Sequence, residues 1–256
     1  MDFTLTKYKE LLLSLQKAGY SFAPYCEFAA DTASGRSVCL RHDVDSKPQN
    51  SLKTAGIEAE MGIRATYYFR AVPESWNDDI IREISAMGHE IGYHYESLTT
   101  CAGNVEKAYA DFCRNLERLR VLAPVSTICM HGSPRSPYDS RDIWKLYDYK
   151  ALGLTAEPYL DTDWSQTFYL TDTGRRWDGF NVSVRDRILH WQDEWCSQGL
   201  VFHSTDRIIS AAGCRLPGRL MITTHPQRWN DKAFPWMGEL LLQNIKNVVK
   251  AVKLLG

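Results

Sequence analysis

The sequence predicts an α/β fold built on one parallel β-sheet. Short apolar segments alternate along the chain with segments of helical periodicity, and several of the apolar segments end in Asp or His. Strands that alternate with helices pair in parallel, because each helix returns the chain to the same end of the sheet. The 256 residues show neither an internal repeat nor a low-complexity tract, so we expect a single domain over 1–256.

The first half of the chain shows the alternation most clearly. Tyr8, Leu11, Leu12 and Leu15 have helical spacing, and Gly19 is a typical helix end. The predicted elements, in order, are a helix over 6–18, a loop over 21–35, a strand over 37–45, a helix over 48–61, a strand over 64–70, a helix over 77–87, a strand over 88–94, a helix over 104–122 and a strand over 125–130.

The second half has weaker patterns. We expect helices over 140–147, 184–196 and 237–254, and strands over 168–171 and 219–224. The strand over 219–224 is the clearest of these, since it is apolar and ends directly at His225.

Composition limits the partners and the compartment. With 30 basic and 31 acidic residues the net charge is −1, which argues against a nucleic-acid partner recruited by bulk charge. Seven cysteines without a Cys-x-x-Cys pair indicate reduced thiols in a cytoplasmic protein. The segment Met1–Lys7 lacks the apolar core of a signal peptide, and no run of about 18 apolar residues predicts a membrane span.

Polar side chains stand at the predicted ends of four strands. Asp43 and Asp45 are two residues apart and therefore face the same side, while His94, His131 and His225 end three other strands. In a parallel sheet these ends share one rim, where active sites lie. One Asp and two His leave an open position on Zn²⁺, the expected cofactor, and a second carboxylate and a further His could act as base and acid.

Three motifs resemble those of the NodB-homology polysaccharide deacetylases, carbohydrate esterase family 4. The family pairs a base Asp with a metal Asp, matched by Asp43 and Asp45 in His-Asp-Val-Asp. Its glycine-flanked second motif resembles Gly88–His94, and its last motif resembles Ile222–His225. The motifs span roughly 38–229. The resemblance implies a distorted, incomplete (β/α) barrel and a metal-dependent deacetylase in which Asp45 and His94 bind metal and His225 is the acid.

One position departs from the family pattern. The family places a second metal His four residues after the first, and here that residue is Leu98. His131 is the replacement candidate because it ends the neighbouring strand, and Glu96 is the alternative. His89 is less suitable, since its odd separation from His94 puts it on the opposite strand face.

Further site residues are expected around this core. Asp172 could orient His225 by a hydrogen bond, or it could cap the turn at Gly174. Trp177 and Trp229 are candidates for lining a sugar pocket, although large aromatic residues also form cores. The family's third motif is centred on an Arg and a Pro, and Arg135 matches it only loosely. Arg135 is a candidate substrate contact.

The expected reaction is hydrolysis of an N-acyl group, most simply acetyl, on an amino sugar or sugar intermediate. A cytoplasmic location favours a nucleotide- or lipid-linked precursor of a surface polysaccharide such as O-antigen or capsule. Two alternatives stay open at this point: a metal-free, degenerate deacetylase-like module that only binds sugar, and a metal-dependent amidohydrolase acting on a small non-sugar amide.

Overall fold

A parallel β-sheet organises the computed structural model, which describes residues 1–30, 35–133, 136–178 and 188–255. The strands are β1 (Ser21–Phe22), β2 (Ser37–Val44), β3 (Thr66–Phe69), β4 (Glu90–Tyr95), β5 (Ile128–Met130), β6 (Phe168–Thr171) and β7 (Arg219–Thr224). Six of them follow the order β5-β4-β3-β2-β7-β6, and β1 pairs with the start of β2. The described strands thus form an open sheet with β5 and β6 at its edges, which confirms the predicted α/β class with an incomplete barrel sheet.

Helices connect the strands. They are α1 (Leu5–Lys17), α2 (Tyr25–Ala30), α3 (Pro48–Glu60), α4 (Asp78–Ala86), α5 (Ser97–Thr100), α6 (Val105–Arg120), α7 (Pro158–Asp161), α8 (Leu189–Ser197), α9 (Thr205–Ala211) and α10 (Ala233–Leu255). Short 3₁₀ helices cover Ser140–Lys145, Lys150–Leu152 and Pro226–Arg228.

Two local predictions need correction. The sequence predicts a loop over 21–35, whereas the described residues of this segment contain β1 and α2, whose Tyr25 and Phe28 are buried. Elements of two and six residues are too short to produce a recognisable period, and pairing with the rest of the fold stabilises them instead. The helix expected over 140–147 is a 3₁₀ turn, and the first residues of the helix expected over 184–196 lie outside the described residues.

The central strand β2 is buried on both faces. On one edge Asp43 aligns with Tyr68 of β3, and on the other His42 aligns with Thr224 of β7. Beyond β3, His94 of β4 aligns with Cys129 of β5. All these pairs are parallel, so the carboxyl ends of β2, β4, β5 and β7 meet at one rim of the sheet.

Glycine is required in the middle of β4. A Cβ atom at Gly92 would collide with the ring of Tyr68 and closely approach the carbonyl oxygen of Thr127. The Tyr68 hydroxyl instead pairs at 2.9 Å with the side chain of Thr127, so the ring of a β3 residue crosses β4 and reaches the residue that precedes β5. The glycine of the second motif therefore serves the packing that aligns these three strands.

A buried polar cluster, the Glu58 cluster, lies on the face of β2 opposite to Asp43. The Glu58 carboxylate of α3 accepts hydrogen bonds from Tyr67 at 2.7 Å and from Tyr8, and it lies 2.7 Å from Nε2 of His42. His42 Nδ1 is 2.6 Å from the Thr224 hydroxyl, and His89 is a further neighbour of the carboxylate. Burial raises the pKa of Glu58, but His42, His89 and Tyr8 together lower it below its usual value, so the carboxylate is ionised inside the fold.

A second buried carboxylate, Glu157, connects β5 to α7. It accepts the backbone N–H of Met130 at 2.9 Å and those of Tyr159 and Leu160 at 2.6 and 3.0 Å. Burial raises the pKa of Glu157 to about 7, against the lowering effect of these N–H groups and of Arg41. The side chain is thus poised to titrate near neutrality.

The raised pKa of Glu157 predicts a pH-dependent loss of stability. Because the pKa of Glu157 is higher in the folded than in the unfolded state, the protonated side chain favours folding. This contribution to the free energy of unfolding is complete at a pH below the unfolded pKa and is lost as the pH rises through about 7. Relative to Glu157→Gln, the free energy of unfolding of the wild type should therefore fall by on the order of 3 kcal/mol between pH 4.5 and 8. Urea unfolding of both proteins across this range measures the difference. Parallel pH profiles would contradict it.

Candidate active site

Four histidine and aspartate side chains converge at the rim. Oδ1 of Asp45 lies 3.5 Å from Nε2 of His131 and 3.8 Å from Nε2 of His94, while its Oδ2 lies 3.8 Å from Nε2 of His225. Asp45 follows β2, His94 lies within β4, His131 follows β5 and His225 follows β7. The ligand atoms of Asp45, His94 and His131 all lie within 4.8 Å of one another, so the three expected metal residues can hold one ion together.

The imidazoles are oriented as metal ligands usually are. Nδ1 of His94 lies 3.0 Å from the Cys129 carbonyl, and Nδ1 of His131 lies 2.9 Å from Oε2 of Glu96. Because both partners are acceptors, each Nδ1 carries the proton and each Nε2 presents a lone pair towards Asp45. Oδ1 of Asp45 is buried and has no hydrogen-bond partner among the described residues. Two imidazole nitrogens and an unpaired carboxylate oxygen are a fitting donor set for a divalent ion.

The charge states of these groups also suit a metal. Burial, reinforced by His131, holds the pKa of His94 well below its usual value, so the ring is neutral. Burial raises the pKa of Asp45, but His131, His225 and His94 lower it more, and the carboxylate stays ionised. A neutral imidazole and an ionised carboxylate are the forms that bind metal.

Glu96 orients His131 and is itself held by Arg70. Arg70 Nε donates to Oε1 of Glu96 at 2.9 Å, and its Nη1 donates to the backbone carbonyl of Asp45 at 3.1 Å. Burial raises the pKa of Glu96, but its hydrogen bond to His131 and the nearby His131 and Arg70 lower it to about 2. With Oε2 on His131 and Oε1 on Arg70, Glu96 is placed as the partner of a ligand, on the far side of the His131 ring from Asp45.

Leu98 occupies a different environment from the rim. Its side chain is buried in a small apolar cluster with Ala108 and Ile143, under α5 and α6. A polar ligand at this position would therefore sit in the apolar cluster. His131 reaches the rim from β5 instead.

Asp43 lies beside the three ligand residues and is fixed by Arg41. Arg41 Nε donates to Oδ1 at 2.8 Å and its Nη2 to Oδ2 at 2.6 Å, and both side chains are buried. The two-point contact holds the carboxylate in one orientation. Oδ2 remains 3.7 Å from Nε2 of His94, next to the ligand atoms.

His225 is oriented by Asp172. Its Nδ1 lies 2.6 Å from Oδ1 of Asp172, and its backbone N–H donates to Oδ2 at 3.0 Å. Arg228 and Trp229 each donate to the same carboxylate at 2.7 Å, so four N–H groups surround it. Burial and Arg228 lower the pKa of His225, but Asp172 and Asp45 raise it above its usual value, which favours a protonated ring.

Two predicted substrate contacts, Trp177 and Trp229, lie in the core and not at the rim. Trp177 and Trp229 are 3% and 1% exposed and pack on Phe3 in the core, so the structure contradicts the expectation that they contact a sugar. Trp177 donates its N–H to Thr205, and Trp229 donates its N–H to Asp172. Residue type alone does not separate a core indole from one in a cleft. Arg135 lies outside the described residues.

Residues that the sequence did not point to complete the site. Arg70 and Arg228 hold Glu96 and Asp172, and Gln227 donates to Oδ2 of Asp45 at 3.2 Å. The only signal for Arg228 and Gln227 is that they closely follow His225, and the only signal for Arg70 is that it directly follows β3, the strand next to β2.

Comparisons with known proteins give matches only among solved structures. No protein-family model and no curated protein matches the sequence. A family 4 carbohydrate esterase from Streptococcus mutans has a TM-score of 0.46 with 14% identity, covering 91% of this chain and 89% of its own. One from Streptomyces lividans, in complex with acetate, has a TM-score of 0.44 with 16% identity, covering 86% and 91%. A pseudoenzyme of the same family from Bacillus anthracis has a TM-score of 0.42 with 11% identity, covering 90% and 66%. Structural similarity at this level gives no information about any reaction that the chain catalyses.

The geometry predicts unequal effects of two substitutions on metal binding. His131→Ala removes a proposed ligand and should lower zinc affinity by at least about 10-fold, measured by calorimetric titration. Glu96→Gln keeps a hydrogen-bond acceptor for His131 but loses the charge, and we expect a smaller loss, up to about 10-fold. Glu27→Gln is the matched control, because Glu27 forms an ion pair with Arg64 on the surface, and it should bind zinc as the wild type does.

The opposite ranking would identify a different third ligand. If Glu96→Ala abolishes zinc binding while His131→Ala leaves the affinity unchanged, Glu96 is the ligand and His131 is not.

Proposed function

We propose that this chain is a metal-dependent hydrolase that removes an N-acyl group, acetyl in the simplest case, from an amino sugar. One observation carries the proposal. The three ligand residues at the rim have an oriented carboxylate, Asp43, beside His94 and an imidazole favoured in its protonated form, His225, beside Asp45. Amide hydrolysis needs a proton acceptor and a proton donor on either side of the reacting carbon.

The residues themselves favour zinc as the ion. Asp45, His94 and His131 would hold it, and two imidazoles with one carboxylate are typical of catalytic zinc rather than of Mg²⁺, which prefers oxygen ligands. When bound, the ion supplies Lewis acidity towards the acyl oxygen and makes water more acidic.

Asp43 and His225 would move the protons. Asp43, held by Arg41, accepts a proton as the water oxygen forms its bond to the acyl carbon. His225 gives its Nε2 proton to the amide nitrogen as the C–N bond breaks, which releases a free amine and a carboxylic acid. Asp172 keeps the proton of Nδ1 in place and stabilises the positive ring before this transfer.

The substrate class follows from the motif resemblance. Polysaccharide deacetylases suggest an N-acetylated sugar, and a cytoplasmic chain would meet it as a nucleotide- or lipid-linked intermediate of O-antigen or capsule assembly. Seven cysteines without a Cys-x-x-Cys pair favour the proposed reducing compartment. A sugar-binding module without metal and a small-amide hydrolase are the competing proposals, and they differ in metal content and in substrate preference.

Proton-transfer variants should separate metal binding from turnover. Asp43→Asn and His225→Ala should keep zinc within about two-fold of the wild-type affinity and lower kcat on an N-acetyl amino sugar by about 10²–10⁴-fold. His203→Ala is the matched control, because His203 also pairs with an aspartate, Asp178, but its side chain is largely exposed whereas that of His225 is buried. It should leave kcat unchanged.

Two results would contradict the proposed function. A protein that stays free of metal after titration with zinc would be a binding module at most. A zinc-loaded protein that hydrolyses small amides but none of a panel of free, nucleotide-linked and lipid-linked N-acetyl sugars would be an amidohydrolase of another class.

A further inference from the structure

Helix α10 presents an apolar face to solvent. Phe234 and Ile245 are 89% and 64% exposed, and Met237, Leu241 and Leu242 between them are also exposed. Phe234, Met237, Leu241 and Ile245 are spaced by three, four and four residues, so they share one face of the helix. Five exposed large apolar residues in 12 consecutive positions, 234–245, are unusual on a soluble surface and mark an interaction site.

The opposite side of α10 binds the rest of the fold through polar groups. Trp236 donates its N–H to the Asp2 carbonyl at 2.7 Å, and its own carbonyl accepts from Arg175 at 2.7 Å. Glu239 forms an ion pair with Lys47 at 3.2 Å, and Asn247 donates to the Gly174 carbonyl at 2.8 Å. The usual polarity of a surface helix is thus inverted, with polar contacts inside and the apolar face outside.

These contacts place α10 beside the candidate active site. Lys47 comes two residues after Asp45, and Gly174 and Arg175 follow Asp172. The helix therefore lies along the loops that leave β2 and β6 at the rim. A partner or surface that binds the apolar face of α10 would therefore lie close to the candidate metal ligands.

We propose that α10 is an interfacial helix that docks on an anionic lipid surface. Its sequence carries Lys246, Lys250 and Lys253 against a single acidic residue, Glu239, which already pairs with Lys47. An amphipathic, basic helix with Phe and Leu on its apolar side is typical of membrane-surface binding. None of the described helices is long and apolar enough to cross a bilayer.

A second copy of the chain is a poorer occupant of this face. Two α10 helices packed together would bring together two segments that are each net positive in sequence, which disfavours such a pair. An anionic lipid surface instead attracts a segment of net positive charge, while the acyl boundary covers the exposed apolar side chains. Docking would bring the rim to the bilayer, where a lipid-linked sugar is found. The docking itself does not depend on the proposed hydrolysis.

Vesicle flotation of the purified protein tests the proposal without any activity measurement. The protein should float with vesicles of phosphatidylcholine and phosphatidylglycerol, and not with phosphatidylcholine alone. Raising the salt from about 0.1 M to about 0.5 M should weaken the binding. The double variant Leu241→Gln with Ile245→Gln should bind at least about 10-fold more weakly, because it removes apolar contact with the bilayer. Val121→Gln is the matched control, since Val121 is 79% exposed at the end of α6.

Circular dichroism and zinc titration of the double variant check that the fold is intact. The proposal is overturned if the wild type does not float with anionic vesicles, or if Val121→Gln reduces binding as much as the double variant. It is also overturned if light scattering shows a wild-type dimer that the double variant breaks, because α10 then binds a second copy.

Discussion

The parallel pairing of β2 with β3 on one edge and with β7 on the other determines the geometry of the candidate site. It places Asp43 and Asp45 between residues of β4 and β5 on one side and His225 on the other. A shift of β2 by one residue would turn both carboxylates to the opposite face, where α3 packs. The buried ion pair of Arg41 and Asp43 lies within β2, so it would move with the strand, and Arg41 would lose its hydrogen bond to the Tyr159 hydroxyl of α7.

The sequence predicted the rim because strand geometry is local. A period of two places Asp43 and Asp45 on one face, and parallel pairing brings strand ends together whatever the loops between them do. The roles of Arg70 and Glu96 could not be predicted in this way, because they depend on how β3 and β4 are aligned. The burial of Trp177 and Trp229 was missed for another reason: indoles are suited equally to a core and to a cleft, and only packing decides between them.

The candidate metal group depends on residues beyond its three possible ligands. Leu98 belongs to an apolar cluster, and the third member of the group is His131, which follows β5. A histidine that is to bind a metal needs a partner that fixes its ring, and Glu96, held by Arg70, is in this position. This arrangement therefore involves three residues that follow three different strands.

The Glu58 cluster has a consequence for how this sequence can vary over time. Its carboxylate, two imidazoles and two phenols come from α1, α3, β2, β3 and the residue before β4, and the other four side chains all contact the carboxylate. Replacing one member alone leaves a buried polar or charged group without its partner and lowers the stability of the fold. Replacing the whole set by apolar residues of similar volume can leave the stability nearly unchanged. Homologous chains should therefore keep all five residues or lose them together. Substitutions should therefore co-vary at positions 8, 42, 58, 67 and 89, although these positions are spread over a third of the sequence.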